Sequence, residues 1–183
     1  SKKAGLAFAA AAAASGAYAI KLAVDGVKAA IEDEAAQVRL ATALKNATGA
    51  TDDMIKSVEQ QILKQSLATG VADDKLRPAL QRLSLSTNDV TKAQDLLTLA
   101  LDISQATGKG LDAVANSLGK AYDGNTAALG KLGIGLSAAE LKTMTFTEVQ
   151  GTLSDLFGGA AAANADTFAG RLQILKVTFD EAK

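Results

Sequence analysis

Cysteine, histidine and tryptophan are missing from the 183 residues, proline occurs once, and aromatic side chains make up 4% of the chain. Each absence removes a class of chemistry. Disulfide frameworks, thiolate zinc sites, cysteine nucleophiles, haem attachment and imidazole-dependent triads cannot be built. Neither sign of charge dominates, with 19 basic and 20 acidic residues and a net charge of -1. A domain that coats DNA or RNA needs a basic stripe to displace counterions, so specific nucleic-acid binding is not expected. A thiol-free chain fits any redox compartment. No alternating run long enough for a strand occurs.

What is present is helical. Ala supplies about a fifth of the residues and Leu is the next most frequent apolar type, both strong helix formers. The expected fold class is all-α: a long N-terminal helix, a central cluster of short helices and a long C-terminal helix, elongated and associating as coiled coils do. Ala buries little area per residue, so interfaces rich in it stabilise weakly and let helices approach closely. The chain begins at Ser1 and ends inside a helical pattern, which reads as a segment of something longer.

Residues 2 to about 47 predict one long helix, closed by Gly49 as a C-terminal cap. From Ile20 its apolar positions Ile20, Val24, Val27, Ile31 and Val38 step by four and three, an a/d seam of two to three heptads. Glu34 interrupts the d series, and Leu40 and Leu44 lie on a shifted face. Thr51 or Asp52 can cap a helix that ends at Gly70, and Asp73 can cap the next, with Pro78 in or just after its first turn. Thr87 or Asn88 opens a Leu-rich helix closing before Gly108. Another carries Leu111, Val114, Leu118 and Tyr122, and a short helical stretch covers Thr126 to Leu132. Capping boxes at Ser137/Glu140 and Thr145/Glu148 predict helices over about 138–144 and 146–157. After Gly158-Gly159 a last helix is expected from about Ala160 to the end, with a seam of Phe168, Leu172, Leu175 and Phe179. Three segments follow: residues 1–48, 49–159 and 160–183.

Several motifs imitate functional sites. Lys2-Lys3 and the uncharged run 4–20 resemble a secretory signal or a membrane-inserting segment. Seventeen helical residues span about 26 Å, short of a bilayer core of roughly 30 Å, and ten of the 17 are Ala. A packed Ala-rich helix fits better. Gly133-Ile134-Gly135-Leu136-Ser137-Ala138 matches a dinucleotide fingerprint, but that motif requires a preceding strand. Gly108-Lys109-Gly110 lacks the spacing and the Ser/Thr of a phosphate loop. Capping and solvation account for Glu32-Asp33-Glu34, Asp52-Asp53 and Asp73-Asp74. Asp123-Gly124-Asn125 reads as a turn followed by an N-cap rather than a calcium loop. Phe146, Phe157, Phe168 and Phe179 recur at a fixed interval, but Gly158-Gly159 leaves only the last two on one face. A hydrolase using two carboxylates is compatible with the composition, though nothing in the spacing points to one. No catalytic, cofactor or metal site is expected.

The strings Leu44–Asp52, Ala68–Leu80, Ala100–Ile103 with Thr107-Gly108-Lys109, Leu118–Gly133, Ala165–Leu172 and Phe179–Lys183 resemble tail tape measure proteins of long-tailed bacteriophages. The similarity runs from about residue 18 to the end. It implies a non-enzymatic, mainly helical structural protein in the virion tail, within the tube lumen or at the tip. Such a protein templates tail length during assembly and leaves on genome ejection. The implied partners are further copies of the chain, as a trimer, tail tube and tail tip proteins, and tail assembly chaperones. The host membrane during infection is a further possible partner, and the rival reading is a membrane-inserting helical protein, forming a channel or penetrating the envelope through residues 4–20. A fully helical chain of this length spans about 275 Å, so it would be one module of a ruler. The expected oligomer interface is Ile20, Val24, Val27, Ile31, Val38, Phe168, Leu172, Leu175 and Phe179; each could instead be ordinary intrachain core.

Overall fold

The computed structural model describes residues 27–181, except the side chain of Phe168. All regular structure among these residues is helical. The helices are α1 (27–48), α2 (Asp52–Thr69), α3 (Asp73–Thr87), α4 (Val90–Thr107), α5 (Leu111–Tyr122), α6 (Ala138–Lys142), α7 (Phe146–Phe157), α8 (Ala160–Ala165) and α9 (Phe168–Glu181), with a 3₁₀ helix at Thr126–Leu132 between α5 and α6.

The punctuation expected from the sequence sets most of these boundaries. Gly49, Gly70 and Gly108 take left-handed conformations just past α1, α2 and α4, where a side chain would clash with its own backbone. The Thr51 hydroxyl accepts from the Met54 N–H at the start of α2. Both capping boxes form: Ser137 N–H donates to Glu140 at 2.8 Å and Thr145 N–H to Glu148 at 2.7 Å, with the reciprocal bonds present. These bonds hold the Glu140 and Glu148 carboxyls below the usual carboxylate range.

Four boundaries differ from expectation. Asp73 lies inside α3, whose N-cap is Ala72 with no side-chain bond. Neither Thr87 nor Asn88 opens α4. Asn88 closes α3 at φ +50°, and Asp89 caps α4 by accepting from Lys92 N–H at 3.0 Å. Asn125 makes no side-chain cap bond to the 3₁₀ helix. The last helix is also broken, at Asp166-Thr167, into α8 and α9. There the Thr167 hydroxyl accepts from Gly170 N–H, restarting the helix. A Cβ on Gly170 would collide with the Asn164 carbonyl and Ala165, so this tight corner requires glycine.

The core is leucine-based. α3 packs most extensively on α5 and next on α4, while the 3₁₀ helix joins α5 to α6, and α7 and α8 cover α4. Leu76, Leu80, Leu83, Leu96, Leu97, Ile103, Leu118, Leu129 and Leu141 are fully buried in it. The same cluster takes Leu40 and Leu44 from α1 and Ala161 from α8. Tyr122 and Phe146 meet edge to face, with ring centroids 5.1 Å apart.

Helix α8 is six residues of mostly Ala, too short and too small to hold itself by burial. A polar device on α4 supplies the difference. The buried Asp102 carboxylate accepts from Gly159 N–H at 3.1 Å and Ala161 N–H at 2.9 Å. It thus satisfies two amides at the start of α8 that no intrahelical carbonyl can reach. Asp102→Ala is expected to lower unfolding free energy by about 2 kcal/mol and Asp102→Asn by about half as much, read as shifts of the urea midpoint.

Candidate functional site

Two features have no role in the leucine core: the outer faces of α1 and α9, and a cluster of charges where those helices meet the body. At about 100° per residue, Val27, Ile31 and Val38 fall on one stripe of α1, while Asp33, Ala36, Leu40, Ala43 and Leu44 fall nearly opposite. The chain buries Leu40 and Leu44 of the second set, half-buries Asp33, Ala36 and Ala43, and leaves the first set 59–61% exposed. Helix α9 repeats the arrangement. Gly170, Ile174 and Val177 face inward, and Leu172, Leu175 and Phe179 point away, 52–70% exposed. The described seam positions are therefore not intrachain core. Both helices are apolar on two faces, and each spends only one inside its own fold. Ile20 and Val24 lie outside the described residues, as does the side chain of Phe168.

Val38 also borders a shallow groove of about 460 Å³ between α1 and α2, lined by Gln37, Ala41, Ile55, Lys56, Glu59 and Gln60. A smaller notch of about 240 Å³ lies beside Tyr122 and Phe146, with Lys92 and Asp95 at its edge. Neither brings together a nucleophile, a base and an oxyanion-stabilising group.

The charge cluster centres on Arg77 of α3, whose side chain is 8% exposed. Its Nη1 lies 2.6 Å from Asp33 of α1 and 2.5 Å from Asp73, and its Nε donates to Glu59 of α2 at 3.0 Å. One guanidinium thus stands among three carboxyl groups drawn from three helices. Burial first, and then Asp73, hold the Glu181 carboxyl of α9 above its ordinary value, with Arg77 opposing. Glu59 Oε1 is buried with no hydrogen-bond partner among the described residues. Burial works against the charge on Arg77, but Asp73, Glu59 and Asp33 outweigh it and raise its pKa.

Sequence reasoning missed this cluster. It read Asp33 and Asp73 as solvated or capping carboxylates, whereas both are ion-paired to Arg77. The only signal was an arginine one turn after Asp73 in an otherwise amphipathic helix, and that pattern fits an exposed pair equally well. Asp52 is paired as well, its pKa lowered by the hydrogen bond and charge of Lys45 at 2.7 Å. The remaining motifs resolve as structure. A 3₁₀ helix, not a strand, precedes Gly133-Ile134-Gly135. The turn at Asp123 is held to α3 by the Ser86 hydroxyl, which donates to Asp123.

Among the described residues no group of three or more Asp, Glu, His or Cys could hold a metal ion, and no helix is long and apolar enough to cross a membrane. Residues 4–20 lie outside that description. Removing the central cation would leave the part-buried carboxylates of Glu59 and Asp73 without their countercharge. Arg77→Met is expected to cost about 3 kcal/mol at neutral pH, measured by guanidinium unfolding. Set against known protein families, curated proteins and solved structures, the chain matches none.

Proposed function

We propose that this chain is a structural, non-enzymatic segment of a phage tail tape measure protein that associates with further copies of itself. The observation carrying the association is the pair of outer apolar stripes, Val27/Ile31/Val38 and Leu172/Leu175/Phe179, exposed on helices whose opposite faces are already packed. The tape measure assignment rests on the sequence resemblance alone. In that reading the segment occupies the tail-tube lumen or tip, helps template tail length, and leaves on genome ejection. Tube and tip proteins and assembly chaperones are its partners.

The stripe on α1 suits packing of helix against helix. Val27, Ile31 and Val38 continue the spacing of Ile20 and Val24, and β-branched residues at both a and d positions favour three strands over two. Flanking positions Lys28, Ala30, Ala35, Gln37 and Thr42 carry almost no like charge to repel a neighbouring copy. Magnitudes favour use of both stripes. Six half-exposed side chains per copy, at roughly 1–1.5 kcal/mol each, give a pair of copies on the order of 12–18 kcal/mol. Association costs about 4–15 kcal/mol in lost freedom and ordering, so one stripe by itself would roughly break even.

Ile31→Asp and Leu175→Asp are expected to shift sedimentation velocity profiles toward monomer while leaving helical content unchanged. An unaltered oligomer in both variants would reject the seam. Glu34 falls at a d position of the α1 seam, where association would bury like charges. Glu34→Leu should therefore tighten the oligomer about tenfold or more, measured as the dissociation midpoint on dilution. The ruler role is tested on the parent protein: tail length divided by its residue count should lie near 1.5 Å per residue.

A further inference from the structure

Residues 160–181 contain no proline, yet the chain turns a corner between α8 and α9. Counted from Ala161 at about 100° per residue, positions Ala165, Phe168, Leu172, Leu175 and Phe179 fall within about 40° of one line. Their steps of four, three, four, three and four make a single heptad seam that runs through the corner. The bend cuts that seam in two. Ala161 and Ala165 are buried, whereas Leu172, Leu175 and Phe179 point away from the body. The residues that α9 turns inward, Gly170, Ile174 and Val177, lie on the opposite side of the helical line. Of these only Val177 is a large side chain buried to the level of the core.

The corner is held by substitutes for helical bonds. Thr167 N–H donates to the Asn164 carbonyl at 3.0 Å and Gly170 N–H to the Thr167 hydroxyl at 3.0 Å, while the Arg171 guanidinium donates to the Asp166 carbonyl at 2.9 and 3.2 Å. A continuous helix joins Gly170 N–H to the Asp166 carbonyl instead and leaves both side chains free. Glycine at 170 is needed for the turn alone. A Cβ there meets the Asn164 carbonyl and Ala165, groups that a straight helix sets about 8–9 Å away along its axis.

We propose that residues 160–181 have a second arrangement, one straight helix of about six turns in which α9 continues α8 as an arm standing off the body. The root of the arm is α8, which stays in place. Asp102 holds the Gly159 and Ala161 amides, and the Asn164 side chain donates to Gln105 at 2.9 Å. Those contacts advance in the same direction along both helices, and α4 ends at Thr107. A straight α9 therefore runs about 21 Å past the end of α4. Straightening gives up the seat of Ile174 and Val177 beside α2 and α8 and restores the seam on a helix that neighbours can approach from every side. What selects the arm is a second copy of the chain, a step that rests on the self-association proposed above. Packed helices need an unbroken a/d seam, and only the straight form offers one that the body does not flank.

The absence of cysteine makes the test direct. Ala162→Cys and Thr178→Cys, both at exposed positions, place two spin labels for pulsed dipolar distance measurement. A straight helix sets their α-carbons about 24 Å apart, and the corner shortens that span. At a dilution where sedimentation velocity shows single copies, the doubly labelled chain should give mainly the shorter distance. Gly170→Ala, which crowds the turn and favours helix, should raise the ratio of long to short distances by about fivefold or more. Thr167→Ala, which removes the hydroxyl that restarts the helix, should move it the same way. A short distance that neither variant changes overturns the proposal. Excess unlabelled chain should then lengthen the distance in the labelled protein. Association seen by sedimentation with the distance still short overturns the arm as the associating form. Failure of copies to associate at any concentration counts against the self-association reading, and the two variants at high dilution still decide whether the arm exists.

Discussion

A helix of one to five turns is barely stable in water by itself, because fixing its first turn costs more conformational entropy than one hydrogen bond returns. Apart from α1, the α-helices described range from five to eighteen residues, so they depend on burial. Leucine supplies most of it, concentrated where α3 lies between α4 and α5. The elements with least to bury are held by polar devices instead. Capping boxes close the ends of α6 and α7, Asp102 caps α8 from α4, and the Thr126 hydroxyl donates to the buried Leu141 carbonyl at 2.6 Å.

The same constraint explains the two-faced helices. α1 and α9 attach to the body along stripes of small or sparse side chains, Ala36, Leu40, Ala43 and Leu44 in one and Gly170, Ile174 and Val177 in the other. Val27, Ile31 and Val38 of α1, and Leu172, Leu175 and Phe179 of α9, point away. A chain that had to satisfy only its own core would place Ile31, Leu175 and Phe179 inward. Arg77 works in a different register: it fixes where α1, α2 and α3 converge, because a buried guanidinium tolerates few arrangements that satisfy it. Glu59, with one buried oxygen unpartnered among the described residues, marks the strain in that convergence. The cluster specifies a meeting point more than it adds stability.

Local features were legible in the sequence because each depends on residues within a turn or two. Gly49, Gly70, Gly108 and Gly159 announce left-handed backbone, and Thr51, Ser137 and Thr145 announce caps. The Leu40–Leu44 pair stood out as a face shifted from the seam, and it is the face the fold buries. Misreadings arose where several polar residues compete for one boundary. Asn88 and Asp89 divide the roles of stop and start between them, and Asn164, Asp166 and Thr167 break a helix that a run of alanines seemed to continue. Of the candidate interface, the stripes themselves could be read from spacing, but their exposure could not.

What the sequence by itself determined is the all-helical character, the position of most breaks, and the exclusion of thiol and imidazole chemistry, since these follow from residue type and near-neighbour spacing. Only the tertiary structure decided which face of α1 and of α9 turns inward, and which carboxylates gather around Arg77. Asp33 and Arg77 are 44 residues apart, and Asp102 and Ala161 are 59 apart. Contacts over such separations are set by how packed leucine surfaces orient whole helices, and no local pattern of side chains carries that angle.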